Sequence, residues 1–277
     1  MMESAEMTTA IGAARVGETI LKKYFADLAS AGIENKTTDQ QYQGIVTQAD
    51  VESEQAIIAT IRAAFPDHQF MAEEEHADGS AENEEHVWII DPLDGTNNFA
   101  HGIPHFAVSI AYYRNGVAQM GVILNPSTGD LFTAEQGGGA WWNGNQVHVN
   151  QHRSLSETMI AVGFYYDRGA MMKATLNAIE ACFQQNVHGV RRFGTAALDL
   201  VQVGLGRFGG YFEYTLSPWD FAAARLFLEE AGGKLTTCTG EPVPMKKTSI
   251  LASNSVLHDQ LLEIVNRYAD YDDARTV

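Results

Sequence analysis

Residues 87–96 read Val-Trp-Ile-Ile-Asp-Pro-Leu-Asp-Gly-Thr, which delivers two carboxylates at the end of a run too apolar to face water on either side. Such a run reads as a strand buried on both faces, and a strand of that kind requires a sheet covered by other layers. Pro92 has no N–H to give a ladder, so the regular strand is expected to stop at Asp91. Gly95 permits close backbone approach to a ligand. Thr96-Asn97-Asn98 can then open a helical turn whose free amides suit phosphate oxygens. Read alone, the stretch also fits an ordinary Asp-Gly turn with Asp94 as a cap.

Other acids stand at comparable places. Glu73, Glu74 and Glu75 follow a short strand expected over residues 69–72, and Asp220 lies in the first turn of a helix opened by Ser217-Pro218. Each has a plain reading as well: a solvated acidic loop for the glutamates, and the last member of a Ser217-x-x-Asp220 capping box for Asp220. If Glu73, Asp91, Asp94 and Asp220 meet, neighbours about 4 Å apart repel by about 4 kcal/mol at an effective dielectric of about 20. Divalent cations remove that penalty, and an all-oxygen donor set with waters suits magnesium. The chain carries 18 Lys and Arg against 35 Asp and Glu, a net charge of −17. Direct nucleic-acid or membrane-surface binding is therefore disfavoured, and a phosphate-bearing substrate has to be drawn in by cations.

Periodicity supplies the frame. The first thirty residues read as an amphipathic helix ending near Gly32, and residues 34–44 as a polar loop. Thr47 and Asp50 form a capping box ahead of a helix that Pro66 closes. Residues 106–113 and 117–124, joined at Asn115-Gly116, read as a hairpin, and residues 129–144 continue the antiparallel pattern. Strands are expected over 159–165 and 190–193, and helices over 170–183, 195–205 and 218–231. With 277 residues, 45% of them hydrophobic, and no linker or repeat, the chain reads as a single α/β unit over 1–277. Its halves, 1–150 and 151–277, form two layered sheets packed with helices. Cys182 and Cys238 are too few for a disulfide framework, no leader pattern opens the chain, and no apolar run is long enough to span a bilayer. A cytoplasmic protein is expected.

Competing chemistries fail on spacing. Phosphatases that form an aspartyl-phosphate place the nucleophile two residues before its acid–base partner, whereas Asp91 and Asp94 are three apart. Gly204-x-Gly206-x-x-Gly209 follows a helix and precedes a strand, the reverse of a dinucleotide turn, so it reads as a turn. No Gly-x-Ser-x-Gly elbow exists. His101 and His105 bracket Pro104, which breaks the helix a shared zinc would need, so both read as structural.

Ala72-Glu73-Glu74, residues 91–99, Gly194-Thr195-Ala196-Ala197 and Trp219-Asp220-Phe221-Ala222-Ala223, with Val46-Thr47-x-x-Asp50 before and residues 229–233 after, resemble the inositol monophosphatase family. The resemblance implies a layered αβαβα sandwich shared with fructose-1,6-bisphosphatase, a homodimer, and a lithium-sensitive phosphomonoesterase that uses two or three Mg2+ ions. It implies that Glu73, Asp91 and the Leu93 carbonyl hold one magnesium ion and Asp91, Asp94 and Asp220 a second, with a third sharing Glu73. Thr96 and Glu73 would orient the attacking water and Asp50 would hold Thr96. The Gly95 and Thr96 amides would take phosphate, and Gly194, Thr195, Ala196 and Glu213 ring hydroxyls. Glu74 flanks this set, and Lys36 is the nearest candidate for the family's mobile-loop lysine. Ala72 replaces the usual glycine, Glu75 a small hydroxyl residue, and the segment between Lys36 and Val46 is longer than usual. The implied substrate is myo-inositol monophosphate or a related polyol or sugar phosphate. The alternatives are 3′-phosphoadenosine nucleotidase, fructose-1,6-bisphosphatase or histidinol-phosphate phosphatase activity or, in a different class, interaction with the transcription machinery.

Overall fold

The computed structural model describes residues 4–32, 34–38, 41–74 and 84–271, with only the backbone of 35–38 and 41–45. Ser4 caps the first helix, α1 (Ala5–Ala26), by accepting from the Met7 amide at 3.1 Å. Two short antiparallel strands follow, β1 (Glu34–Thr38) and β2 (Gln41–Val46), where the polar composition of residues 34–44 predicts a loop. Strand formers (Thr37, Thr38, Tyr42, Ile45 and Val46) are present in this segment, but without the apolar alternation that marks a half-buried strand. The Thr47–Asp50 box then opens α2 (Gln48–Ala64) as expected.

Strands β3 (Gln69–Ala72), β4 (His86–Asp94), β5 (Ala107–Arg114), β6 (Val117–Asn125), β7 (Asp130–Glu135), β8 (Gly139–Trp142) and β9 (Asn145–Val147) lie side by side in chain order in one sheet, with α3 (Thr96–Ala100) between β4 and β5. Only β3 and β4 run parallel. The second sheet has the order β11-β10-β12-β14-β13. It is built from β10 (Met159–Val162), β11 (Gly189–Arg191), β12 (Gly210–Leu216), β13 (Lys234–Thr236) and β14 (Thr248–Ser253). Helices α4 (Ala170–Gln184), α5 (Ala196–Gly204), α6 (Pro218–Glu230) and α7 (His258–Asn266) complete the chain. Strand β10 stops three residues short of the expected 165, β11 begins at Gly189 and ends at Arg191 against an expected 190–193, and β13, β14 and α7 have no counterpart in the periodicity. The glycines at 204, 206 and 209 form the turn from α5 into β12.

Three buried clusters define the layers. Trp88 and Ile90 of β4 face α1 and α2, whereas Val87 and Ile89 face α5 and α6, the alternation a doubly covered strand requires. Tyr211 and Ile250 close the central layer from the second sheet, whose opposite face, with Phe212 and Leu251, packs on α4 and α7. The result is an αβαβα sandwich with α5 and α6 between the sheets.

The central layer depends on close approach. A Cβ on Gly121 of β6 would lie 2.6 Å from the Ala223 carbonyl oxygen and 3.0 Å from its Cα. Both are backbone atoms of α6, so the contact cannot be relieved by a rotamer change. Gly121→Ala is expected to cost about 2–3 kcal/mol, read as a lower denaturant midpoint, and an unchanged midpoint would show that this packing is looser than described.

Candidate active site

A cavity of about 930 Å³ opens between the sheets where β3 and β4 end and α3, α5 and α6 begin. Parallel pairing of Ala72 with Ile90 brings the next residues of the two strands, Glu73 and Asp91, to the same sheet edge. The ladder does not end at Asp91 as predicted. It shifts register across Pro92 and resumes with Asp94 opposite Ala107, so the strand runs on through a bulge. Within the bulge the Leu93 amide donates to Asp91 Oδ1 at 3.0 Å, and the Ser53 hydroxyl donates to the Pro92 carbonyl at 3.3 Å. The bulge satisfies the backbone that Pro92 takes out of the ladder.

Gly95 has φ of 99°, the left-handed geometry that starts α3. A Cβ there would lie 2.6 Å from Thr195 Cγ2, so the turn after β4 abuts the turn before α5. Asn98 binds the two together, its amide donating to the Phe193 and His105 carbonyls at 2.8 Å each. Thr96 Oγ1 lies 3.1 Å from both Asp50 Oδ1 and the Leu93 carbonyl oxygen. The other Asp50 oxygen accepts from the Thr47 amide at 2.8 Å and from its hydroxyl. The capping box of α2 therefore also anchors the threonine of the β4 turn.

Asp94 accepts from the Ala196 and Ala197 amides at 3.2 and 2.8 Å, the first free N–H groups of α5, where the helix dipole favours negative charge. Asp220 accepts from the Ser217 amide at 2.6 Å, so its capping role and its place in the cavity coexist. Buried Glu213 on β12 accepts from the Tyr211 hydroxyl at 2.6 Å. Glu73, Asp91, Leu93, Asp94, Gly95, Thr96, Gly194, Thr195, Ala196, Glu213 and Asp220 all line this cavity. Asp50 stands behind Thr96. The Glu74 amide donates to buried Glu54 at 2.8 Å. The side chain of Lys36 and all of Glu75 lie outside the described residues.

Sequence reasoning passes over Glu54 and Asp199, and places Asn98 in the helical turn without its link to Phe193. Glu54 fixes the chain next to Glu73, and Asn98 clamps the two turns. Asp199 lines the cavity with Oδ1 unpaired among the described residues. Asn98 lies inside the Asp-Gly-Thr-Asn-Asn run and was within reach as a turn residue. Glu54 and Asp199 carry no local signal, since each sits within a helix.

Burial is the largest influence on the carboxyls. It pushes Asp91 well above the ordinary aspartate range, with repulsion from Glu73, Asp94 and Asp220 adding to it. Asp220 is raised for the same reason, with Glu73 and Asp94 its main repelling neighbours. Burial lifts Asp94 to about 7 and Glu213 to about 7, in each case against hydrogen bonds that favour the charged form. Asp50 is lifted to about 6. Among the described residues no three acidic, His or Cys side chains are gathered closely enough to hold an ion as they stand. What Glu73, Asp91, Asp94 and Asp220 share is one cavity and one repulsive field, and their hard oxygen donors fit a divalent cation that would relieve it.

Comparison with known proteins gives one consistent family. A family model described as the inositol monophosphatase family matches residues 3–270. A Thermotoga maritima protein named fructose-1,6-bisphosphatase/inositol-1-monophosphatase is 35% identical over 238 residues, 86% of this chain and 89% of that protein. A Pseudomonas aeruginosa protein named Nus factor SuhB is 40% identical over 223 residues, 79% of this chain and 82% of its own. The crystal structure of extragenic suppressor protein suhB from Bartonella henselae superposes with a TM-score of 0.87 at 37% identity, covering 95% of this chain and 99% of that one.

The raised carboxyls have a consequence for stability. Asp94 moves from an ordinary 3.8 to about 7 in the fold. Its contribution therefore favours the fold below about pH 4 and is lost as pH rises through 7. In chelator, Asp94→Asn is expected to lie close to the wild type near pH 3.5 and to exceed it by on the order of 4 kcal/mol at pH 8. Denaturant titrations at the two pH values check it, and a difference that does not change with pH would contradict the assignment.

Proposed function

The chain belongs to the inositol monophosphatase family, and from that premise we propose that it is a magnesium-dependent phosphomonoesterase acting on myo-inositol monophosphate or a related polyol or sugar phosphate. The observation that carries the reading is the convergence of Glu73, Asp91, Asp94 and Asp220 beside a glycine-started helical turn in one cavity. Glu73, Asp91, the Leu93 carbonyl, Asp94 and Asp220 would hold two or three magnesium ions, whose chemistry is to neutralise charge on the ester and to acidify water.

The remaining roles belong to the chain's own residues. The Thr96 hydroxyl donates to Asp50, which leaves its lone pairs to accept from a water and, with Glu73, to aim that water at phosphorus. Amides of Gly95 and Thr96 serve the phosphate oxygens, so the ester is held in line without a covalent phosphoenzyme. Glu213, oriented by Tyr211, and the turn of Gly194, Thr195 and Ala196 receive hydroxyls of the leaving polyol. Ala196 and Ala197 keep Asp94 in place. Buried, unpaired Cys182 and Cys238 suit the reducing cytoplasm that their small number leads one to expect, and no described helix is long and apolar enough to cross a membrane.

Purified protein with magnesium should show higher kcat/KM on the polyol and sugar esters myo-inositol 1-phosphate and fructose 1,6-bisphosphate than on 3′-phosphoadenosine 5′-phosphate or histidinol phosphate. Chelation and Asp94→Asn should each lower kcat by about 10³-fold or more. A strong preference for the nucleotide would overturn the polyol reading of Glu213. The name of the Pseudomonas relative supports a second reading, action on the transcription machinery. If that role is the main one, a strain carrying Asp94→Asn in place of the wild-type gene grows normally where a deletion strain does not.

A homodimer belongs to the same proposal. Leu176 and Phe183, 50% and 51% exposed, lie two turns apart on α4 and form an apolar stripe that a second copy would cover. Replacing both with lysine should convert a dimer to a monomer in sedimentation, and a protein that is monomeric from the start would contradict the assignment.

A further inference from the structure

Three cationic side chains line the acidic cavity among its described residues: Arg192, Lys246 and Lys247. Arg192 is engaged by the wall itself, since its charge draws Glu213 and Asp199 toward their ionised forms. Lys246 and Lys247, which immediately precede β14, have no acidic partner among the described residues. Lys247 is nevertheless held in place. Its ammonium donates to the Tyr165 hydroxyl and lies 4.2 Å from the centroid of the Tyr165 ring. A tyrosine positions an ammonium without cancelling its charge. Tyr165 leans on Tyr166 with ring centroids 5.5 Å apart, and the Tyr166 hydroxyl accepts from the Asn97 amide at 3.2 Å. Asn97 follows Thr96 directly, so the lysine is linked by two aromatic rings to the turn that handles the scissile phosphate.

Charge at the cavity is thus split, with carboxyls around the β3 and β4 ends and uncompensated ammonium groups on the segment leading into β14. A monophosphate of a neutral polyol uses the first region and leaves the second without an anion. We infer that Lys246 and Lys247 form a subsite for a second anionic group, a phosphate or carboxylate carried by the leaving alcohol of a doubly charged ester. This rests on the phosphomonoesterase reading for the position of the first phosphate. Lysine suits the task as a compact point charge on a long stem that adapts to where the second group falls. The competing role is general steering of anions into an acidic protein, which would favour every phosphate ester alike.

A matched pair of probes separates the two. The calcium-loaded wild-type protein is titrated by calorimetry with myo-inositol 1-phosphate and with myo-inositol 1,4-bisphosphate. Turnover of both is then measured with magnesium. The bisphosphate is expected to bind about tenfold more tightly than the monophosphate, an advantage that shrinks with added salt. Lys246→Ala/Lys247→Ala should abolish that advantage while leaving the Kd, KM and kcat for the monophosphate within about twofold. Lys246→Arg/Lys247→Arg should keep it. Equal losses for both probes, or no bisphosphate preference in the wild type, overturn the subsite. If neither probe is turned over but the lysine-dependent preference in binding persists, the subsite stands and the phosphatase reading fails.

Discussion

Repulsion among carboxyl groups that burial has stripped of water is the constraint to which the rest of the molecule answers. Each group receives what the backbone can supply. Asp91 has the Leu93 amide, Asp94 the first two amides of α5, Asp220 the Ser217 amide, and Asp50 both donors of Thr47. These bonds favour the ionised forms, yet burial and mutual repulsion outweigh them in every one of the four. Arg192 acts on Glu213 and Asp199 instead. The protein therefore holds its acids in place without an internal cation drawing them into a closed ion-pair network among the described residues.

Only a layered arrangement brings these groups together. The parallel β3–β4 pair sends Glu73 and Asp91 out at one edge, whereas Asp94 and Asp220 meet N-terminal helix amides from the layer between the sheets. That layer must be thin. Gly121 lets α6 lie against β6, and Gly95 lets the turn before α5 lie against the turn after β4. The two glycines do different work, one for lack of a Cβ and the other also for its positive φ, but both shorten the distance between chain segments that carry carboxyls.

The sequence made legible whatever is encoded over a few neighbouring residues. Asp91, Asp94, Gly95 and Thr96 form a contiguous run at a strand end, Glu73 follows a short strand, and Asp50 and Asp220 announce themselves as capping residues. The paired strands 107–114 and 117–125 follow from their Asn-Gly turn. Features that depend on distant partners were out of reach. Glu54 looks like any helix glutamate until the Glu74 amide, twenty residues on, points at it. Asn98 reaches Phe193 across 95 residues, a link no local pattern contains. The continuation of β4 past Pro92 was missed because a bulge is specified by its partner strand, and the β1–β2 hairpin because its residues lack alternation.

Charge separation within the cavity bears on selectivity as much as on catalysis. A chain with a net charge of −17 repels the esters it would bind, and the carboxyl cluster repels them most strongly at short range. Under the proposed function, divalent cations at the β3 and β4 ends would reduce the field there. The lysines before β14 are not reduced in that way, because the group nearest Lys247 is a neutral phenol. Binding of a neutral polyol monophosphate would thus depend on hydrogen bonds to Glu213 and the Gly194 turn, whereas a second anion would add a Coulombic contribution that those contacts cannot replace. Under the proposed function, substrate range would be set less by the carboxyl cluster than by which side chains stand across the cavity from it.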